Sequence, residues 1–475
     1  MESHQIHGVV ELMDETEIPE EFLKDSKVVF KAASESYAEH IADNKEDVSH
    51  AKIGAHWDKD VQREILKFLR QWAKVFAVNP LSPKAYKGPL FHIRTGDAVP
   101  TKDNPRRQSP WKEVEIAKHI KLMLDNGIIE LANSPWSAAV VLAKKKGGEW
   151  RFCVDYRNLN AVTRKDSYPL PRVDDTLDAL GFGGGRVFLT LDVASGYWHI
   201  PLADKDKEKT AFSTRDGSYQ FTVVPFGLTG APGAFCRAIN DTLREFMWKS
   251  CLVYVDDIVV WSPDVESHKR DLAAIFSRLH EDGFQLKLSK CEFFQKKINF
   301  LRFVIENGHI SVDPAKVEAI KNFAPPQTLT GLQRFLGMVG WYRRFIQDFA
   351  GIGSPLFDLL GKDSETPWEI YVEGTAQNKA FVALRDAICN FPVMRLPDFN
   401  KPFIVCTDAS DYATGAVLAQ EHDGFKHPVH FMSRSLNRAQ KHKHSYYKEL
   451  MAVVRVLKHF HHYLAYQPFV VATDC

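Results

Sequence analysis

The stretch "CLVYVDDIVVWS", Cys251 to Ser262, sets two adjacent carboxylates in the middle of an otherwise apolar run. A buried charge is costly unless it is paired or coordinates a metal. Asp256 and Asp257 therefore cannot lie inside a continuous core strand. The run has to break at them, and Asp is a residue type that turns accept. The pattern predicts strand, turn at the two Asp residues, strand, with the carboxylates at a hairpin tip where the core ends and a cleft begins. A second apolar strand, in "RVFLTLDVASGYWHIPL", ends in the same way on Asp192.

Three carboxylates that each end an apolar strand can converge at one sheet edge. Such a cluster repels itself and raises its own pKa values unless a cation neutralises it. Oxygen donors with no His or Cys partner favour magnesium or manganese. Two such ions, about 4 Å apart, can activate an attacking oxygen and stabilise a leaving one in phosphoryl transfer. The plainer reading is a set of turn and cap aspartates, which a lone Asp-Asp pair would favour.

The surrounding chain has 475 residues, enough for two to four domains. Lys and Arg number 61 against 60 Asp and Glu, so overall charge names no partner and only local basic patches can. Seven Cys are scattered without CxxC or metal-ligand spacing, which fits a reducing, intracellular setting. The start, "MESHQIHGVVELMDETEIPEEF", has no secretory h-region, and no apolar run approaches a membrane span. No membrane partner is expected.

Residues 1 to about 50 are polar and acidic and read as a partly disordered lead-in. A helical face follows on Val61, Ile65, Phe68, Leu69, Trp72 and Phe76. Ser109 and Pro110 suit a helix start, and Asn126-Gly127 suits its stop. "AAVVLA" and "WRFCVDY" read as strands around the basic turn "KKKGG". "GFGGGR" fails the phosphate-loop template, because Arg186 occupies its last Gly and it precedes a strand, so it reads as a flexible turn. "SHKRDLAAIFSRLHEDG" and "TLTGLQRFLGMVGWYRRF" are helical, with short strands between them. After about residue 398, strands, a long helix and a last strand suggest an α/β sheet unit.

That last unit carries a second acid set. Ile404, Cys406 and Asp408 share one strand face, as do Val470, Ala472 and Asp474. Glu449 aligns with Val453, Val456 and Phe460 at helical spacing, so it heads a stripe that should face the sheet. A carboxylate there is costly without a cation. The His-rich "KHKHSYYKEL" and "LKHFHHYL" have no Cys partners and read as surface or nucleic-acid-facing residues.

"WRFCVDYRNLN", "LDVASGYWHIPL", "VPFGLTGAPGAFCRAIN", "YVDD" and "QLKLSKCEFF" stand in an order that resembles the reverse transcriptases, most of all those of gypsy-type long-terminal-repeat retrotransposons. The resemblance implies an α+β multidomain chain, a right-hand polymerase of fingers, palm and thumb followed by a truncated α/β ribonuclease H-like domain. The division it implies is a lead-in over 1–52, an N-terminal helical segment over 53–99, fingers and palm over 100–305, thumb or connection over 306–395, and an incomplete ribonuclease H-like domain over 396–475.

Asp192, Asp256 and Asp257 resemble the catalytic carboxylates, with Asp192 and Asp256 on both ions, Asp257 less direct, and the Val193 carbonyl as a further ligand. Tyr197 resembles the steric gate that rejects a ribose 2′-hydroxyl. Arg151 and one of Lys144, Lys145 or Lys146 resemble the triphosphate clamp, and Phe226 and Gly227 the floor beneath nucleotide and template. Asp408, Glu449 and Asp474 resemble the first three acids of ribonuclease H, again with two metals. The implied partners are RNA and DNA template-primer and deoxynucleoside triphosphates, and the implied setting is a cytoplasmic virus-like particle or the nucleus.

Departures from the family pattern are Trp198 and His199 where a polar pair is usual, Gly230 where Asn is usual, and Arg302 where Gly is usual. The sequence ends one residue past Asp474, so weak or no ribonuclease H activity is expected of this chain. No protease-like Asp-Thr/Ser-Gly triplet precedes residue 86. The competing classes are a catalytically silent nucleic-acid-binding remnant of a retroelement and a structural subunit.

Overall fold

A computed structural model describes residues 47–77, 79, 83–144, 148, 150–169, 171–181, 185–360, 368–390, 392–465 and 467–473. Of the lead-in over 1–52, residues 1–46 lie outside the described residues, as do the centre of the glycine-rich turn, 182–184, and Lys145, Lys146 and Asp474; the rest of the lead-in is ordered, with Val48 buried and Lys52 paired with Glu292.

Four sheets organise the chain. The first runs in the order Lys52–Ile53, Glu292–Gln295, Val187–Asp192, Asp257–Ser262, Cys251–Tyr254. Its central strands are apolar on both faces because both are covered. Leu189, Leu191, Ile258 and Val260 point into one core, beneath the helices Ala231–Thr242 and Val265–Glu281. Phe188, Leu252, Val259 and Trp261 point into a second core on the other side. Helix Val265–Glu281 starts at Asp264, whose side chain accepts from the Ser267 amide, and buries Leu272, Ile275, Phe276 and Leu279 at helical spacing.

The second sheet runs Ile129–Leu131, Gly217–Phe221, Phe212–Thr214, Ala138–Lys144, Trp150–Asp155. Helix Pro110–Asp125 leads into it and ends at Asn126, followed by Gly127 at φ 67°. Ser109 stands at the cap position but makes no side-chain cap bond. The third sheet, Lys297–Phe300, Phe303–Glu306, His309–Val312, Met394–Arg395, carries helices Pro314–Lys321, Leu329–Gly340, Phe349–Phe357 and Ala376–Cys389. The fourth runs Phe425–Ser435, Ala413–His422, Phe403–Ala409, Phe469–Thr473, with helix Ser445–His459 against Phe403 and Val405.

Three local readings shift. In the expected helical segment 53–99, the described helix is Lys59–Gln71 with a short turn at Ala73–Val75, and the described residues 83–99 carry none. The hairpin turn is Val255-Asp256, with Asp257 already opening the second strand, because Tyr254 pairs with Asp257. The buried stripe of helix Ser445–His459 is Lys448, Ala452 and Val456, so Glu449 and Val453 sit half-buried on its flank.

Candidate active site

The register of the first sheet pairs Asp192 with Asp257 on neighbouring antiparallel strands. The two-residue turn then puts Asp256 beside them at the same sheet edge. Val255 makes that turn at φ 55°, a region that clashes with a β-branched side chain. Such strain costs roughly 1–3 kcal/mol and persists only where the surroundings over-determine the backbone. Here they do. Cys236, on the helix below, donates its thiol to the Val255 carbonyl at 3.6 Å.

The cluster has the electrostatics of a self-repelling carboxylate set. Asp256 and Asp257 open to solvent at the turn, yet the surrounding protein still pushes both pKa values up. Partial burial is the main cause for each, and the Asp192 charge adds to it. The Tyr197 hydroxyl bonds to Asp256 and offsets part of that rise. Burial and the Asp256 charge in turn hold the Tyr197 phenol above its ordinary value. Lys290 Nζ lies 2.9 Å from Asp192 Oδ2 and compensates the third carboxylate. Val193 is buried and bridges to Leu286, which ties the end of the Asp192 strand to the segment that carries Lys290.

Arg151, Phe226 and Tyr197 form one run of contacts leading to Asp256. Tyr197 sits in the short turn Gly196–His199. A Cβ on Gly196 would come within 2.8 Å of the Phe235 ring, so glycine is what lets this turn pack there. The Tyr197 ring lies 5.6 Å from Phe235 and 5.1 Å from Phe226. The Arg151 guanidinium stands 5.7 Å from the Phe226 ring centre. Gly227 follows at φ 98°. Its carbonyl accepts from Asn160 Nδ2 at 2.8 Å, and Asn160 Oδ1 accepts from the Thr229 amide at 2.8 Å. Lys144 ends the strand opposite Trp150.

Asn160, Lys290 and Cys236 carry no role in the sequence reading, although all three lie inside quoted motifs, "WRFCVDYRNLN", "QLKLSKCEFF" and "VPFGLTGAPGAFCRAIN". His199, one of the departures, is buried, with its ring nitrogens facing the carbonyls of Ala194 and Lys84, each at 2.9 Å. It holds the Gly196–His199 turn against the strand end that carries Asp192.

In the fourth sheet Asp408 is exposed near the end of its strand, and Glu449 Oε1 accepts from the Ala409 amide at 3.2 Å. The two acids therefore stand side by side. Thr473, the last described residue, pairs with Thr407, one position short of Asp474 and Asp408. Asp348, at the start of helix Phe349–Phe357, also faces this edge; burial raises its pKa first, and Asp408 adds to it. Among the described residues, no three His, Cys, Asp or Glu side chains lie close enough together to hold a metal ion alone.

A cavity of about 380 Å³ lies apart from both acid sets, on the second sheet, lined by Asp103, Asn104, Arg106, Ala139, Asp155, Arg157 and Asn158. Arg157 and Arg106 meet Asp155 at 2.7 and 2.8 Å, and these contacts, Arg157 first, hold the Asp155 carboxyl down to about 2.

Residues 143–305 match the reverse transcriptase (RNA-dependent DNA polymerase) family model, and residues 374–471 match the RNase H-like domain found in reverse transcriptase. The relatives are polyproteins of retrotransposons. The Retrovirus-related Pol polyprotein from transposon opus of Drosophila melanogaster is 36% identical over 406 residues, which is 80% of this chain and 40% of that protein. The Pol polyprotein from transposon gypsy of the same fly is 35% identical over 362 residues, 74% of this chain and 34% of that one. The chain thus spans two fifths or less of the length of these relatives. In fold it is similar to foamy viral protease-reverse transcriptase. The structure of a dRH form in complex with double-stranded DNA superimposes with a TM-score of 0.77 at 21% identity, covering 91% of this chain and 74% of that one. A structure in complex with an RNA/DNA hybrid gives 0.71 at 21% identity, over 91% of this chain and 57% of that one.

Proposed function

We propose that this chain is an RNA- and DNA-directed DNA polymerase of a gypsy-type retrotransposon, adding deoxynucleotides to a primer 3′-hydroxyl. The observation that carries the reading is the meeting of Asp192, Asp256 and Asp257 at one sheet edge, with Tyr197 bonded to Asp256.

The donor set fits magnesium or manganese. It is all oxygen, and burial first, then the charge of neighbouring carboxylates, raises the pKa values of Asp256 and Asp257, as for carboxylates awaiting a cation. Magnesium is usually held by one or two carboxylates plus substrate phosphates. Asp192, Asp256 and the Val193 carbonyl would hold such ions, with Asp257 supporting. When bound, they would supply charge neutralisation at the α-phosphate and activation of the 3′-hydroxyl.

The remaining work falls to the chain's own residues. Lys290 keeps Asp192 compensated before substrate arrives. Arg151 and a neighbouring lysine fork the triphosphate. Phe226, held under Arg151, and Gly227 form the floor, and the Tyr197 ring occupies the space a 2′-hydroxyl would need. Positioning and electrostatics of this kind carry phosphoryl transfer.

One surface supports template-primer as the partner. Gly337 sits mid-helix with open space where a Cβ would stand, so packing does not explain it. One helical turn on, exposed Trp341 has the Arg302 guanidinium 5.5 Å from its ring. An open glycine beside an aromatic and a cation suits the close approach of a nucleic-acid backbone. For the fourth sheet we propose binding of an RNA–DNA hybrid, with Asp408 and Glu449 side by side at the strand end and weak cleavage. A virus-like particle or the nucleus is the compartment this reading proposes.

Primer extension on an RNA template with a DNA primer, in magnesium and in manganese, tests it. Asp256→Asn should lose at least about 10³-fold in rate. A folded wild type that binds the hybrid but extends nothing would overturn the polymerase reading in favour of a silent binding protein.

A further inference from the structure

Outside both acid sets, one buried charge cluster joins three parts of the chain. Arg344, in the turn Arg343–Phe345, is 3% exposed. Its Nη2 donates to Asp178 Oδ1 at 3.1 Å and its Nη1 to Asp174 Oδ1 at 3.2 Å. Both acids lie on helix Val173–Ala179, beside the first sheet. Nη2 also reaches the Val429 carbonyl in the fourth sheet at 3.4 Å. The second Asp178 oxygen accepts from the Tyr463 hydroxyl, 285 residues along the chain. Asp178 therefore has each oxygen committed to a different part of the molecule, and both it and Tyr463 are buried.

The packing around the cluster points the same way. Gly181 follows the helix, and a Cβ there would stand 2.5 Å from the Pro397 carbonyl, where the fourth-sheet unit begins. That backbone approach admits no side chain. Ser433 Oγ accepts from the Ala350 amide at 2.8 Å. Leu177, Leu180 and Trp261 share one continuous apolar core with Phe335, Leu396 and Phe431.

An apolar core alone is tolerant of sliding, because its contacts are non-directional. A buried ion pair is not. Its charge-assisted hydrogen bonds are directional, and here both Arg344 Nη atoms and both Asp178 oxygens are engaged while Arg344 Nε alone has no hydrogen-bond partner. We propose that Asp178, Arg344 and Tyr463 form a latch that fixes the fourth-sheet unit at one orientation to the first sheet, and so sets the spacing between the two acid sites. The three are positioning residues, since none touches either acid set. The latch does not depend on what reaction either site performs.

Hydrogen–deuterium exchange of the full chain, without nucleic acid, tests this. In Arg344→Met, amides in 173–179, 427–430 and 461–464 should exchange at least tenfold faster, while those of strand Val187–Asp192 keep their wild-type rates. Tyr463→Phe keeps the ring and removes only the hydroxyl. It should speed the same segments by a smaller factor, and it carries the test if Arg344→Met does not fold. Single-nucleotide primer extension by Tyr463→Phe should stay within twofold of wild type. Unchanged exchange in those segments for Tyr463→Phe, or a uniform rise that includes Val187–Asp192, would overturn the latch. A wild type that extends no primer would overturn the polymerase reading and leave the exchange result standing.

Discussion

Asp256 and Asp257 are charged groups that the fold makes unwelcome. Their pKa values are raised, by partial burial first and by the neighbouring carboxylates after it. An acid raised in the folded state binds more protons folded than unfolded between its two pKa values, so it costs stability as pH rises through that window. Asp257→Asn should therefore melt at a higher temperature than wild type at pH 7 without divalent ions. The gain should vanish below about pH 4, where the unfolded carboxylate is protonated too. Calorimetry across that range checks it, and a gain persisting at pH 3 would rule out charge as the cause. Magnesium should raise the wild-type midpoint at pH 7 and leave that of Asp256→Asn nearly unmoved. Tyr197 makes a second test at this scale. Its ring is wedged between Phe226 and Phe235 with its hydroxyl on Asp256. Tyr197→Ala should raise ribonucleotide incorporation relative to deoxynucleotide on the order of 10-fold or more, measured as a ratio of kcat/KM values.

At the scale of elements, the site depends on short turns held from outside themselves. The Val255-Asp256 turn is strained and is anchored by Cys236. The Phe226–Thr229 loop is clasped by Asn160 from the helix Arg157–Val162. Losing both Asn160 bonds should cost about 1–3 kcal/mol. On the proposed function, in which the loop binds nucleotide and the carboxylates serve the reaction, Asn160→Ala should also raise KM for deoxynucleotide several-fold with a smaller change in kcat. Steady-state kinetics separates the two, and a loss confined to kcat would contradict this role. The elements were largely legible. Alternation and apolar runs placed Ala138–Lys144, Trp150–Asp155 and Val187–Asp192, and helical spacing placed Lys59–Gln71 and Val265–Glu281. The one-residue shift of the hairpin turn was not, because a β-branched Val at positive φ is what local rules argue against.

At the scale of the whole molecule, the second core decides what is a separate body. Phe431 belongs to the fourth sheet yet packs into the core that also holds Trp261. Phe431→Ala should remove roughly 3–5 kcal/mol. Denaturation followed by tryptophan fluorescence should show the loss in the transition that unfolds the first sheet. Two fully separate transitions, with the first unchanged, would mean the cores do not communicate. Charge also works at this scale. The net charge is only +1, so template-primer affinity should come from local basic residues. It should fall steeply with salt despite that near-neutral total. A flat dependence would count against a backbone-tracking surface.

Which acids stand at the ends of apolar runs, and which elements present them, can be read locally from the amino-acid sequence. Acids that end apolar runs, a period of two in strands and a period of 3.6 in helices are local properties, and Asp192, Asp256, Asp257, Asp408 and Glu449 could be picked out from them. Tertiary structure alone decided who meets whom. Lys290 reaches Asp192 across 98 residues, and Tyr463 reaches Asp178 across 285. No periodicity encodes such pairings. They follow from strand register, where a slip of one residue turns every side chain to the other face. They follow also from the demand that each buried charge find a partner, wherever along the chain that partner lies.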